Sequence, residues 1–245
     1  MNRKFSVWYW VSILTLIFLM AAQSPVFAAV SSVDMGKGSA RPLLDETMIV
    51  VDSGLDLDTS MSKTCISDIP CTLRRAIAQS RNVAVADRPV NITFNIPADA
   101  ANGYDSVLQV WKLTILTTSD ASVFRRIKGQ TSIDGVTQPG GRESGPKIFL
   151  VGPGTGQKDG LIVGDLTSDN GIIIRGLGFQ NFKTHIHINS SNNLIEDNWF
   201  GLNADGQSVY MRSELHPLDG SGNAGIVLSS GTQDNPVHSL KNLGK

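Results

Sequence analysis

Cleaving a glycosidic link requires a proton donor and a base or nucleophile that converge across one sugar, a task carboxylates perform. The acids in the later part of this 245-residue chain are Asp159, Asp165, Asp169, Glu196, Asp197, Asp205 and Asp219. Glu196 and Asp197 are adjacent, so a strand through both turns them to opposite faces. Asp165 and Asp197 share a surface only if separate strands line up. Elimination at a uronic acid instead needs an Arg or Lys base beside a calcium ion held by carboxylates. Arg175, with Asp165 and Asp169 upstream, is the residue that suits this chemistry. Surface charge pairing explains the same residues without catalysis. His185 and His187 are two apart and project to one face of a strand, a spacing that can bind zinc. No third ligand stands near them, so a polar outward face accounts for the pair. NADG at 203–206 opens like a calcium loop but lacks the acidic run that completes one, and reads as a turn. Neither a metal site nor a cofactor is assigned: calcium has no complete ligand set.

Cys65 and Cys71 are too few and too isolated for a zinc site, and their spacing is not the C-x-x-C of redox catalysis. Their meaning depends on compartment. Arg3 and Lys4 precede an apolar stretch from Phe5 to Ala22, and Val26-Phe27-Ala28 has the small-residue pattern of a signal-peptidase site. Residues 1–28 therefore read as a secretory signal cut after Ala28, with an uncleaved membrane anchor as the alternative, since eighteen apolar residues are borderline for spanning. Export places the cysteines where a small-loop disulfide forms; two buried thiols or a redox pair remain the alternatives. With 21 Lys plus Arg against 22 Asp plus Glu, the chain carries a net charge of −1 and offers nucleic acid no general electrostatic attraction. Loss of Arg3 and Lys4 with the signal makes the charge more negative, so binding to an anionic membrane surface is not expected either. At 41% hydrophobic residues the chain is not of the disordered class.

Elements able to position these residues follow from periodicity. Residues 29–46 are small and polar, a flexible leader. The β-branched run Thr47 to Val51 is a first strand, and an acidic turn spans Asp52 to Asp58. In CTLRRAIAQSRN, residues 71–82, Leu73, Ala76, Ile77 and Ser80 share one face at helical spacing while Arg74, Arg75, Gln79 and Arg81 fall elsewhere, which predicts a short amphipathic helix beginning near Thr72. Val90 to Ile96 alternates and is stopped by Pro97. Beyond residue 107 only brief apolar runs occur: Leu113–Leu116, Thr131–Ile133, Ile148–Val151, Leu161–Val163, Gly171–Ile174, His185–Ile188, Asn193–Ile195 and Gly225–Leu228. They lack two-residue hairpin signals. GIIIRGLGFQN laid on NNLIEDNWFGL aligns Ile174 with Ile195, Leu177 with Asn198 and Phe179 with Phe200; DGLIV at 159–163 matches THIHI at 184–188 and AGIVL at 224–228. A period of about 20 to 25 residues with several short strands per turn predicts a parallel β-helix, in which stacked coils share a column of Ile, Leu, Val and Phe while Asn and Gly turn the corners.

The ordered strings CTLRRAIAQSRN, VNITFNIP, SIDGVTQPG, DGLIV, IRGLGFQNF, NNLIEDNWFGLNADG and NAGIVLSSGTQDNPV resemble the CSLREA-type secreted bacterial right-handed parallel β-helix proteins, over residues 47–238. The resemblance implies an all-β solenoid of pectin-lyase-like fold with a short N-terminal capping helix: a cap region at 47–105 and coils over 106–245, the last incomplete. It also implies a cysteine pair here, which supports a Cys65–Cys71 bridge. Arg75 stands where the name motif carries Glu, and His185 and His187 replace a more usual Gly-Ile. Residues 208–222 look like an outward loop insertion between THIHI and AGIVL. Arg126-Ile127-Lys128 matches the RIK string of polygalacturonases, but it precedes the repeats and the accompanying NTD and GHG strings are missing, so it reads as a coincidence.

The expectation is a noncatalytic secreted or cell-surface protein that binds extracellular polysaccharide or surface proteins along its elongated side. Repeated Asn, Ser and Thr at outward positions are its warrant. The alternatives are a polysaccharide lyase or glycoside hydrolase using Arg175, Asp165 or Asp197, with His185 and His187 as weaker binding candidates, and an inactive fragment of a larger adhesin-like protein. A last coil with Val227, Leu228 and Val237 lacking a next layer would invite end-to-end self-association.

Overall fold

The computed structural model of the chain describes residues 46–56, 60, 62–65, 69–116, 122–153, 158–165, 168–207 and 224–238. The predicted signal segment, all of the leader but Glu46, and the insertion at 208–222 lie outside the described residues. The elements are β1 (Thr47–Val51), α1 (Leu73–Asn82), β2 (Val90–Phe94), β3 (Tyr104–Asp105), β4 (Val110–Thr114), β5 (Thr131–Asp134), β6 (Ile148–Val151), β7 (Leu161–Val163), β8 (Ile173–Arg175), β9 (Leu177–Gln180), β10 (Thr184–Ile188), β11 (Leu194–Glu196), β12 (Trp199–Phe200), β13 (Ala224–Leu228) and β14 (Val237–His238), with three short 3-10 turns between them. The protein is mostly β, with one α-helix among the described residues, and no helix there is long and apolar enough to cross a membrane.

Strands form three sheets, ordered β1-β2-β5-β8-β11-β14, β12-β9-β6-β4-β3 and β13-β10-β7. Every pairing is parallel except β3 with β4. From β5 onward the chain visits the six-, five- and three-stranded sheets in turn and then starts again, so strands are hydrogen-bonded to strands of an earlier circuit, a later one or both. Isolated bridges Ser122↔Asp159 and Ile127↔Val163 extend the three-stranded sheet back by one circuit.

Parallel in-register pairing stacks like on like. Ile49 faces Ile92, which faces Ile133, then Ile174, then Ile195. On the second sheet Leu113, Leu150, Phe179 and Phe200 form a row. On the third, Leu161, Ile186 and Ile226 form another. These rows meet in one apolar core reaching from Ile49 to Ile195, and burying each such side chain contributes about 1.5–3 kcal/mol before entropy is set against it. The aligned strings pair as their spacing requires: Ile174 with Ile195, Phe179 with Phe200, and Leu161 with Ile186. The period of 20 to 25 residues holds only there. Elsewhere a circuit takes up to about forty residues, as between Ile92 and Ile133, because turns between strands lengthen without disturbing the ladder. Corners use left-handed backbone, with Gly176 at φ 68° and Asp197 at φ 58° separating the first sheet from the second.

Helix α1 starts where its capping chemistry dictates: the Thr72 hydroxyl accepts from Arg75 N at 3.3 Å. Leu73, Ala76, Ile77 and Ser80 are buried as the periodicity predicts. Arg74 and Arg75 depart from it, being 2% and 6% exposed. Arg74 is accommodated because Asp56 meets its guanidinium in a buried ion pair and the Phe124 ring lies 5.5 Å away. The acidic turn thus has a structural use, and Asp52 Oδ1 also accepts from Cys71 N at 2.7 Å. Cys65 and Cys71 are joined in a disulfide beside this helix, with Cα atoms 4.8 Å apart.

Candidate functional site

The outward face of the six-stranded sheet carries a charged row. Asp134, Arg175 and Glu196 are register partners on β5, β8 and β11, with His238 next on β14. Arg175 Nη2 binds Asp134 Oδ2 at 2.5 Å, and its Nη1 lies 3.7 Å from Glu196 Oε1. The hydrogen bond to Asp134 raises the Arg175 pKa, so this guanidinium holds its proton more firmly than a free one, against the need of a base. The carboxylates that the structure brings to Arg175 are Asp134 and Glu196, with Asp197 near enough to add to their field. Asp165 is instead bound by Arg81 at 2.8 Å and approached by Arg126 at 3.8 Å, which ties α1 to the loop after β7. Asp169 accepts from the backbone N–H groups of Gly129 and Asp165. Asp197 occupies a corner, so Glu196 and Asp197 are not consecutive residues of one strand as expected.

The two histidines part company. His187 is half-exposed, as an outward polar residue should be, but His185 is 7% exposed and this corrects the expected polar face. The cause is local: Gly160 and Gly225 flank His185 in the ladder and leave room for ring side chains from neighbouring turns. Phe200 stacks on the imidazole at 5.9 Å and Phe182 meets it edge-on at 6.3 Å, with Phe179 at 6.1 Å. Nδ1 of His185 is buried with no hydrogen-bond partner. Burial pushes the His185 pKa down to about 4. Among the described residues no group of three His, Cys, Asp or Glu side chains could hold a metal ion.

His187 has a different setting. Its Nδ1 lies 3.6 Å from Asp159 Oδ2 and its Nε2 lies 3.1 Å from Ser229 Oγ. Asp159 precedes β7, His187 is in β10 and Ser229 follows β13, so three neighbouring strands each supply one member. Asp159 stood among the candidate acids; Ser229 did not. The alignment of DGLIV, THIHI and AGIVL sets His187 opposite Ile162 and Val227, so the approach of Asp159 and Ser229 to the imidazole comes from side-chain reach along the strands and not from register.

The outward face of the five-stranded sheet holds a cleft of about 410 Å³, lined by Leu108, Lys112, Thr114, Val151, Gln180 and Asn203, with Ala204 and Asp205 closing one side. Lys112 Nζ binds Asp105 Oδ2 at 2.8 Å, and that ammonium holds the Asp105 carboxyl below its usual range. Beside the cleft, the Arg142 guanidinium lies 4.6 Å from the Trp199 ring and 5.2 Å from that of Phe149. Burial lowers the Arg142 pKa. This small outer cluster was not foreseen, since its residues look like ordinary members of an inward apolar row. No protein-family model, curated protein or solved structure matches the chain.

Proposed function

We propose that the protein is a secreted or cell-surface right-handed parallel β-helix protein of the CSLREA-type group, and that its outward faces bind glycans or partner surfaces. The cyclic order of three parallel sheets, the single apolar core and the helix beside β1 support the fold reading. The cleft over β4, β6 and β9 carries the binding reading. Lys112 and Thr114 present polar groups to hydroxyl groups, Gln180, Asn203 and Asp205 line the cleft beside them, and Leu108, Val151 and Ala204 offer apolar area to the C–H faces of a sugar. The predicted lyase base Arg175 and the acid Asp165 are engaged in ion pairs, which favours binding over cleavage of the polysaccharide chain.

The test is retention of the secreted chain on a panel of polysaccharides, with and without calcium, for the natural sequence and for Lys112→Ala combined with Gln180→Ala. At least one polysaccharide is expected to retain the natural protein, and the double variant to lose about tenfold or more in affinity, the equivalent of two modest polar contacts. Retention by none, or equal retention of both proteins, overturns the binding reading. Release of unsaturated sugars in calcium would replace it with the lyase alternative.

A further inference from the structure

We infer that Ser229, His187 and Asp159 form a nucleophilic site that hydrolyses carboxylic esters, which goes beyond the binding reading and does not depend on it. A serine hydroxyl becomes a nucleophile when a base lies within hydrogen-bond reach and a third group orients that base. Here the base, His187 Nε2, is 3.1 Å from Ser229 Oγ, and its other ring nitrogen is 3.6 Å from Asp159 Oδ2. The second distance is loose by the standard of a bound state, as such contacts are before substrate binds. Asp159 Oδ1 is buried without a hydrogen-bond partner, and Oδ2 faces the imidazole.

Ser229 Oγ also donates to Asn189 Oδ1 at 2.5 Å. The hydroxyl has one proton, and a half-turn of the amide presents NH₂ to Oγ in place of oxygen. With NH₂ facing Ser229, the hydroxyl proton goes to His187 Nε2, leaving Nδ1–H to face Asp159. Space and donors exist on the open side. Among the described residues the backbone N–H groups of Ser230 and Gly231 make no hydrogen bond. A Cβ built at Gly231 would meet nothing within 4 Å. These groups follow the nucleophile directly and can receive an oxyanion.

The reaction balances without a further reagent beyond water. Ser229 Oγ bonds to the acyl carbon as its proton passes to His187 Nε2; the ester C–O bond breaks and the alkoxide takes that proton as alcohol. Water then attacks the acyl-serine, giving its proton to His187, and the carboxylic acid leaves as Ser229 recovers its hydrogen. Ser229 and His187 are the catalytic residues. Asp159 is a positioning residue, acting through the imidazole.

The experiment incubates the secreted chain with an alkyl fluorophosphonate and, separately, with p-nitrophenyl acetate. One adduct located on Ser229 by peptide mass is expected. Hydrolysis should fall at least about 100-fold in Ser229→Ala and in His187→Gln, while thermal unfolding and circular dichroism match the natural protein. Asp159→Asn should lower the rate and move the acid limb of the pH–rate profile to lower pH, and Asp159→Glu should restore part of both. No adduct on Ser229, or hydrolysis unchanged in folded Ser229→Ala, overturns the proposal. Ester hydrolysis and polysaccharide retention are read in separate assays, so failure of glycan binding and failure of this site are distinguished.

Discussion

Acidification should destabilise this fold through His185. In the folded chain its pKa is about 4 because the imidazole is buried, against about 6.5 when unfolded. The folded-state pKa is depressed, so between these values the unfolded chain binds more protons than the native one and stability falls as pH falls. The contribution is fully present above about pH 6.5 and is lost by about pH 4, a total of about 3 kcal/mol, of which about 2 kcal/mol is gone by about pH 5. A competing effect runs the other way, since ring faces attract a cation by about 0.5–2 kcal/mol. Desolvation should win, because a protonated Nδ1 would carry a buried N–H with no acceptor. The assay is urea unfolding at pH 7.5 and pH 5.0, followed by tryptophan fluorescence, on the natural chain and on His185→Leu, which fills a similar volume without titrating. Carboxylates titrate alike in both proteins, so the difference between their pH dependences isolates the imidazole. The natural chain should lose about 2 kcal/mol more than the variant across this interval. Equal losses in the two proteins would show that the aromatic cage accepts the imidazolium, and the reasoning from burial would be wrong.

Two substitutions probe the packing. Asn198 is buried, its Oδ1 accepts from Leu177 N at 3.0 Å and its Nδ2 donates to Ile174 O at 2.8 Å. Asn198→Ala should therefore lower unfolding free energy by about 2–4 kcal/mol in chemical denaturation, since two buried backbone groups lose partners. Gly178 faces the ring of Phe149, where an added Cβ would stand 2.3 Å from a ring carbon. Gly178→Ala should cost about 1–3 kcal/mol or more and alter near-ultraviolet dichroism, because Phe149 cannot move without displacing Arg142 and Trp199.

The ladder of this protein was legible wherever one face of a strand is apolar and the other polar. Thr47–Val51, Ile148–Val151 and Leu161–Val163 have the bounds read from the residues. Strand β12 was less distinct because Trp199 joins Phe149 of an earlier circuit in an apolar patch on the outward side, which blurs the alternation that marks a half-buried strand. Helix α1 was recognised by its spacing, yet its arginines were misplaced: a local period does not report that Asp56, eighteen residues upstream of Arg74, will share the interior with it. For His185, the two flanking glycines come from segments 25 and 40 residues away and become neighbours only through register. The Asp159–His187–Ser229 grouping was hidden because its members are not register partners: His187 stands opposite Ile162 and Val227.

Because parallel in-register pairing fixes where a strand sits, the stretch of chain between two paired strands can differ in length without disturbing the ladder. The pairing of Ile174 with Ile195 and that of Ile92 with Ile133 belong to the same ladder although their spans differ about twofold. The residues between strands are correspondingly free to change in number.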